Sequence, residues 1–150
     1  MSGPEHRDLI LDQFSRQAVP FATAAAIMDE EALRLVVEFS GAEPDDTVLD
    51  VACGPGLLAC AFARVARHVT GIDHALAMLE RARGLAAEKG VANVSWKQGD
   101  VLPLPYGEAS FSLVVSRFAF HHFQEPRAVL AEMKRVCAPG GRVVVVAATG

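Results

Sequence analysis

The sequence is poor in cysteine, poor in net positive charge and without a long apolar run, and each shortage excludes something. Its three cysteines, Cys53, Cys60 and Cys137, are an odd number with no CxxC pair. Neither a disulfide framework nor a zinc knot is predicted, and the thiols read as small buried apolar groups. No histidine lies close to Cys53 in the chain to activate it as a nucleophile. A balance of 14 Lys and Arg against 18 Asp and Glu, a net charge of −4, argues against a protein that grips nucleic-acid phosphates. No apolar stretch approaches the roughly 18–20 residues that cross a bilayer. The opening MSGPEHRDLILDQFSRQ has acids where a secretory signal has a basic and then an apolar segment. A cytoplasmic chain with no nucleic-acid partner and no membrane span is the expectation.

What is present is a chain of 150 residues, 51% hydrophobic and 21% charged, enough for one domain with a substantial core. Apolar runs of strand length alternate with helical stripes. A helix is predicted over 29–39, with Asp29 as N-cap, Leu33, Val36 and Val37 on one face, and Gly41 as its stop. A strand over 47–51 leads to a glycine loop, after which Leu58, Ala61, Phe62 and Val65 mark a buried helical stripe. A second strand (68–72) precedes a helix carrying Met78, Leu79, Ala82, Leu85 and Ala86, and a third strand covers 94–97. The proline-punctuated loop LPLPYGEAS leaves no room for a helix before the fourth strand, 111–116. Pro126 opens a helix bearing Val129, Leu130, Met133, Val136 and Cys137, which is expected to stop at Pro139-Gly140-Gly141. The fifth strand, RVVVVAA, is apolar on both faces, as a buried parallel strand is. This alternation predicts an α/β fold around a parallel sheet, which takes its ligands beyond the carboxyl ends of the strands.

The residues at those ends are therefore the candidates. After the first strand comes LDVACGPG, in which Asp50 precedes Ala52, Cys53, Gly54 and Gly56. Small residues there let the backbone turn tightly and a ligand come close, although a plain βα turn has the same composition. Asp73 ends the second strand, 19 residues beyond Gly54, near the spacing at which an acid takes ribose hydroxyls in nucleoside-binding sheets. Its other reading is the N-cap of the next helix, and the two are compatible. Asp100, in KQGDVLPLP, ends the third strand, where a carboxylate can accept from an exocyclic adenine amine or serve only as a surface turn.

Together, LDVACGPG, GID, QGDVLPLPYGEASFSLVVS and RVCAPGGRVVVV resemble the class I S-adenosylmethionine-dependent methyltransferases. The likeness is greatest to the type 11 group that includes the ubiquinone and menaquinone C-methyltransferases, and it covers nearly the whole chain. The resemblance implies a Rossmann-like three-layer α/β/α sandwich with a mostly parallel sheet of about five strands in the order 3-2-1-4-5. It implies a helical cover segment over 1–40 and a cofactor-binding domain over 41–150. It also implies methyl transfer from S-adenosylmethionine to a small-molecule acceptor, leaving S-adenosylhomocysteine. In this reading Asp50, Ala52, Cys53, Gly54 and Gly56 surround the methionine part, and Asp73 with His74 holds the ribose. Gly99, Asp100 and Val101 hold the adenine, Met78 or neighbouring apolar groups face the purine, and Ser116, after the fourth strand, is a further cofactor contact facing the transferable methyl. Gln17 and Phe21 are candidates to cover the methionine end.

Arg117, His121 and His122 in SRFAFHHF follow the fourth strand and should face the transferable methyl; histidine suits proton removal near neutral pH. Either imidazole could instead satisfy buried backbone groups or cap the Pro126 helix. No metal site is predicted, because adjacent side chains diverge and nothing completes a shell. Three departures from the family stand out: Ala52 replaces a usual glycine, Ser112 replaces a frequent Asp and reads as local capping, and the chain stops after the fifth strand, short of the usual sixth and seventh. That last departure would leave the fifth strand near an open sheet edge, favouring a homodimer. Two other functions compete: a non-catalytic S-adenosylmethionine-binding module or fragment, and an NAD(P)-binding oxidoreductase suggested by Gly54-x-Gly56-x-x-Ala59.

Overall fold

The computed structural model describes the backbone of residues 7–13, 22–117, 119 and 122–148, and side chains within 30–147. The elements in chain order are β1 (Arg7–Gln13), α1 (Ala22–Ser40), β2 (Thr47–Val51), α2 (Leu57–Ala63) and β3 (His68–Asp73). They continue with α3 (Leu76–Lys89), β4 (Val94–Gln98), β5 (Phe111–Arg117), α4 (Pro126–Val136) and β6 (Cys137–Ala148). The sheet has six strands in the order β1-β6-β5-β2-β3-β4, every neighbouring pair parallel. Its β4-β3-β2-β5-β6 portion is the expected 3-2-1-4-5 arrangement.

Consecutive strand residues point to opposite faces, and the core divides accordingly. Val48, Val69, Leu113, Val115 and Val144 pack under α1 and α2 against Leu33, Val36, Leu58 and Phe62. Leu49, Val51, Val114 and Val143 pack under α4 against Val129, Met133 and Val136. α3 lies beside α2 and buries Leu79, Ala82 and Ala86. Phe62, fully buried, by itself contributes about 2–3 kcal/mol of apolar burial.

Three expectations are corrected. β1, in the run RDLILDQ, pairs along its whole length with Arg142–Ala148 of β6. The last strand is thus flanked on both sides, and the open edge on which a dimer was expected is occupied. The helix predicted from Asp29 starts at Ala22, so Asp29 lies inside it and is not its N-cap; the preceding ATAAAIM run is rich in the best helix former. Helix α4 ends at Val136, and Cys137 is already extended (φ −86°, ψ 133°). Pro139 and the two glycines disfavour helix here, so Cys137 begins the final strand opposite Phe111.

At the amino ends of the strands, Ser112 Oγ donates to Asp46 at 2.7 Å and accepts the Thr47 amide at 2.9 Å, while Arg142 reaches the same carboxylate at 2.8 Å. Ser112 is therefore a local clamp, as expected. Burial opposes ionisation of Asp46, but the hydrogen bonds from Ser112 and the Glu43 amide, with Arg142, lower its pKa overall. This clamp sits at the opposite end of the sheet from the glycine loop.

Candidate functional site

Asp50 lies on β2 at the same alternation as Val48, so its side chain points to the α2 face. It is 1% exposed. The Ala59 amide in the first turn of α2 donates to it, whereas its Oδ2 is buried with no hydrogen-bond partner. Burial raises its pKa to about 7; the Arg117 guanidinium pulls down, Asp73 pushes up, and the Ala59 N–H pulls down. A buried acid whose pKa burial raises well above the carboxylate range, with one oxygen unpaired, is an incomplete arrangement that a cation would complete.

The glycine loop starts immediately after. Ala52 takes a left-handed φ of 59°, which costs a residue with a Cβ about 1–2 kcal/mol and which glycine would adopt without that cost. The Cys53 amide extends the ladder to the Ile72 carbonyl at 2.9 Å. Burial, with the charges of Asp50 and Asp73, pushes the Cys53 thiol far above its ordinary pKa, so it is neutral and not poised as a nucleophile. Gly54 (φ 55°) donates its amide to Asp73 Oδ2 at 2.9 Å, and the direction of its absent Cβ is open, with nothing within 4 Å. Gly56 (φ 85°) donates to the Cys53 carbonyl at 3.1 Å and starts α2.

Asp73 is buried, and its Oδ1 accepts the Ala75 amide at 2.9 Å while Oδ2 holds Gly54. The N-cap reading of Asp73 is corrected: the N-cap of α3 is Ala75, with no side-chain cap, and Asp73 holds the amide of that residue instead. It restrains the start of α3 and shapes the loop after β2. The His74 imidazole is exposed, 3.8 Å from Asp73, and Met78 is half-buried in the first turn of α3. The Gly99 amide donates to the Asp73 carbonyl at 3.1 Å, Asp100 is exposed, and Val101 packs on the core. Asp73 and Asp100 thus close neighbouring strands on one edge.

Ser116 reaches the same edge but faces inward. It is fully buried and donates to the Val51 carbonyl at 2.8 Å, bracing the strand that feeds the loop. Arg117 ends β5 and its charge acts on Asp50. His122 is exposed, with its amide on the Ala119 carbonyl at 2.9 Å. His121, Gln17 and Phe21 lie outside the described residues. Sequence reasoning missed the braces behind the site. Arg135 donates to the carbonyls of Leu104 (3.1 Å) and Tyr106 (2.9 Å), while Glu132 accepts the Leu104 amide at 2.8 Å. These bonds fasten to α4 the loop that follows Asp100. An (i, i+3) acid–base pair on a helix was the visible signal, but it reads equally as solvated surface.

A methyltransferase-domain family model matches residues 48–141. The chain belongs to this methyltransferase family. Its relatives include the uncharacterized methyltransferase YcgJ of Bacillus subtilis, 33% identical over 133 residues that make up 89% of this chain and 53% of that protein. The ubiquinone/menaquinone biosynthesis C-methyltransferase UbiE of Bdellovibrio bacteriovorus is 34% identical over 144 residues, 92% of this chain and 61% of that one. The crystal structure of YcgJ superposes with a TM-score of 0.73, 34% identity, and coverage of 77% and 50% of the two chains. An S-adenosylmethionine-dependent methyltransferase from Aquifex aeolicus superposes with a TM-score of 0.64, 25% identity, and coverage of 79% and 67%. This methyltransferase-family chain thus spans about half to three-fifths of the two curated relatives' length. The family assignment displaces the dinucleotide-binding oxidoreductase alternative.

Proposed function

We propose that the chain binds S-adenosylmethionine across the carboxyl edge of β2, β3 and β4 and directs its methyl group to a small-molecule acceptor, releasing S-adenosylhomocysteine. The observation that carries this reading is the unpartnered Oδ2 of buried Asp50. The ammonium and sulfonium of S-adenosylmethionine are cations suited to that carboxylate, whereas a dinucleotide's pyrophosphate would meet it as a like charge.

The other residues fit the remaining parts of the ligand. The open Cβ direction at Gly54 permits a close approach, and amides of the 54–57 region suit the ligand's carboxylate. Each Asp73 oxygen accepts one backbone amide and retains capacity for vicinal ribose hydroxyls. Exposed Asp100 would accept from the adenine amine, with the Val101 amide on a ring nitrogen and Met78 against the purine. Cys53 and Gly99 shape the backbone, Ser116 supports it from behind, and His74 lies beside the ribose position.

When bound, S-adenosylmethionine supplies an electrophilic methyl whose C–S electron pair returns to sulfur as the acceptor's electron pair forms the new bond. The chain's part is in-line positioning, with proton removal where the acceptor must lose one. His121 and His122 are assigned that proton, and Arg117 the polarity of the site beside Asp50. The name of the relative UbiE supports a quinone-type acceptor.

Calorimetric titration with S-adenosylhomocysteine, set beside NADH fluorescence titration, tests the binding step. Binding of the first and not of the second is expected. NADH binding, or no heat with S-adenosylhomocysteine, overturns the proposal. Incubation with methyl-labelled S-adenosylmethionine and a quinone-type acceptor then tests transfer, and label retained wholly in the cofactor would favour a non-catalytic binding module.

A further inference from the structure

The chain has a single tryptophan, Trp96, on edge strand β4, directly opposite Gly71 of β3 in the parallel register. A Cβ on Gly71 would lie 2.7 Å from Trp96 Cζ3, 2.8 Å from Cε3 and 2.9 Å from Cys53 Sγ. A Cβ on Gly56 would lie 2.8 Å from Cη2 of the same ring and 2.8 Å from Ala82 Cβ. One edge of the six-membered ring therefore runs from the middle of β3 to the glycine loop, filling space that two absent side chains leave. Separations this short exclude a side chain at either glycine unless the indole moves.

Gly56 is also the residue whose left-handed turn (φ 85°) starts α2 and whose carbonyl accepts the Cys60 amide at 2.9 Å. The ring thus packs against the point at which the loop becomes helix, and Cys53 Sγ shares with it the space that the absent Gly71 Cβ leaves. An aromatic side chain laid over a cross-strand glycine restrains both strands. Here its far edge restrains the loop as well.

We propose that Trp96 is a positioning residue for cofactor binding: acting through Gly56 and Gly71, its ring holds the glycine loop in the shape that receives S-adenosylmethionine. This rests on the cofactor reading above. The ring braces the loop from the α2–α3 face, so its removal should loosen the loop before it loosens the sheet.

Trp96→Phe tests it, because the smaller ring still covers Gly71 but lacks the atoms that reach Gly56. Hydrogen exchange at the Gly54 and Gly56 amides should quicken while β2 and β5 amides keep their protection. The Kd for S-adenosylhomocysteine should rise about tenfold. A Kd within about twofold of wild type, or unchanged loop exchange, would overturn the inference. Should the variant fail to fold, wild-type protein carrying 5-fluorotryptophan provides the second measurement. Its single fluorine resonance should shift on S-adenosylhomocysteine addition, and an unmoved resonance would overturn the inference. Absence of binding by wild type would instead count against the cofactor reading, and the loop-exchange comparison would still decide the role of Trp96.

Discussion

The Asp73 carboxylate accepts the Gly54 amide at 2.9 Å, joining the end of β3 to the loop after β2 across 19 residues of sequence. Its second oxygen holds the Ala75 amide at the start of α3. The proposed ribose acid is thus already part of the scaffold. Its position is set before any ligand arrives, which lowers the ordering cost of binding.

Asp73→Ala should therefore act twice. Leaving two amides unpaired should cost about 1–3 kcal/mol of stability, and losing the ribose contacts should weaken S-adenosylhomocysteine binding by a similar amount. Urea unfolding and calorimetry separate the two effects. Unchanged affinity in a folded variant would remove the ribose assignment.

Asp50 should make stability fall as pH rises. Its folded pKa of about 7 lies above the ordinary carboxylate value. The fold holds its proton more tightly than the unfolded chain, so the contribution of Asp50 is fullest below about pH 4 and is lost as pH rises to about 7. Asp50→Asn removes this decline. The variant should be about 1–3 kcal/mol more stable than wild type at pH 8, with the gain shrinking toward pH 4. Thermal melts across that range check the trend. The same variant should bind S-adenosylhomocysteine more weakly, because the charge opposite the ammonium is gone.

The two loop glycines should respond differently. A Cβ at Gly56 meets Ala82 and Trp96 at 2.8 Å in a left-handed residue, so Gly56→Ala should cost about 2–4 kcal/mol of stability. Gly54 has the same handedness but open space, so Gly54→Ala should cost only about 1–2 kcal/mol. Gly54→Val should fold yet lose cofactor binding, because its branches would stand in the ligand's approach. Paired unfolding and binding measurements on the three variants test this order, and normal binding by Gly54→Val would contradict it.

Ala52→Gly should stabilise the fold, which is unusual for a glycine substitution at a half-buried position. The left-handed φ of 59° costs alanine about 1–2 kcal/mol, part of which returns as the greater entropy of unfolded glycine, for a net gain of up to about 1 kcal/mol. An unchanged or lowered urea midpoint would show that the strain is relieved elsewhere.

The amino-acid sequence by itself determined where β2 to β5, α2, α3 and the start of α4 lie, which residues follow each strand, and that acids close two neighbouring strands. Those features depend on short windows: apolar period, proline and glycine positions, and the small residues of the turn. Tertiary structure alone decided that β1 pairs with β6 and that Ser116 turns inward. It also decided that Trp96 lies against Gly56 and that buried Asp50 keeps an unpaired oxygen and a raised pKa. Each of these is a sum over residues far apart in the chain, since strand pairing, close packing and desolvation exist only once distant segments meet.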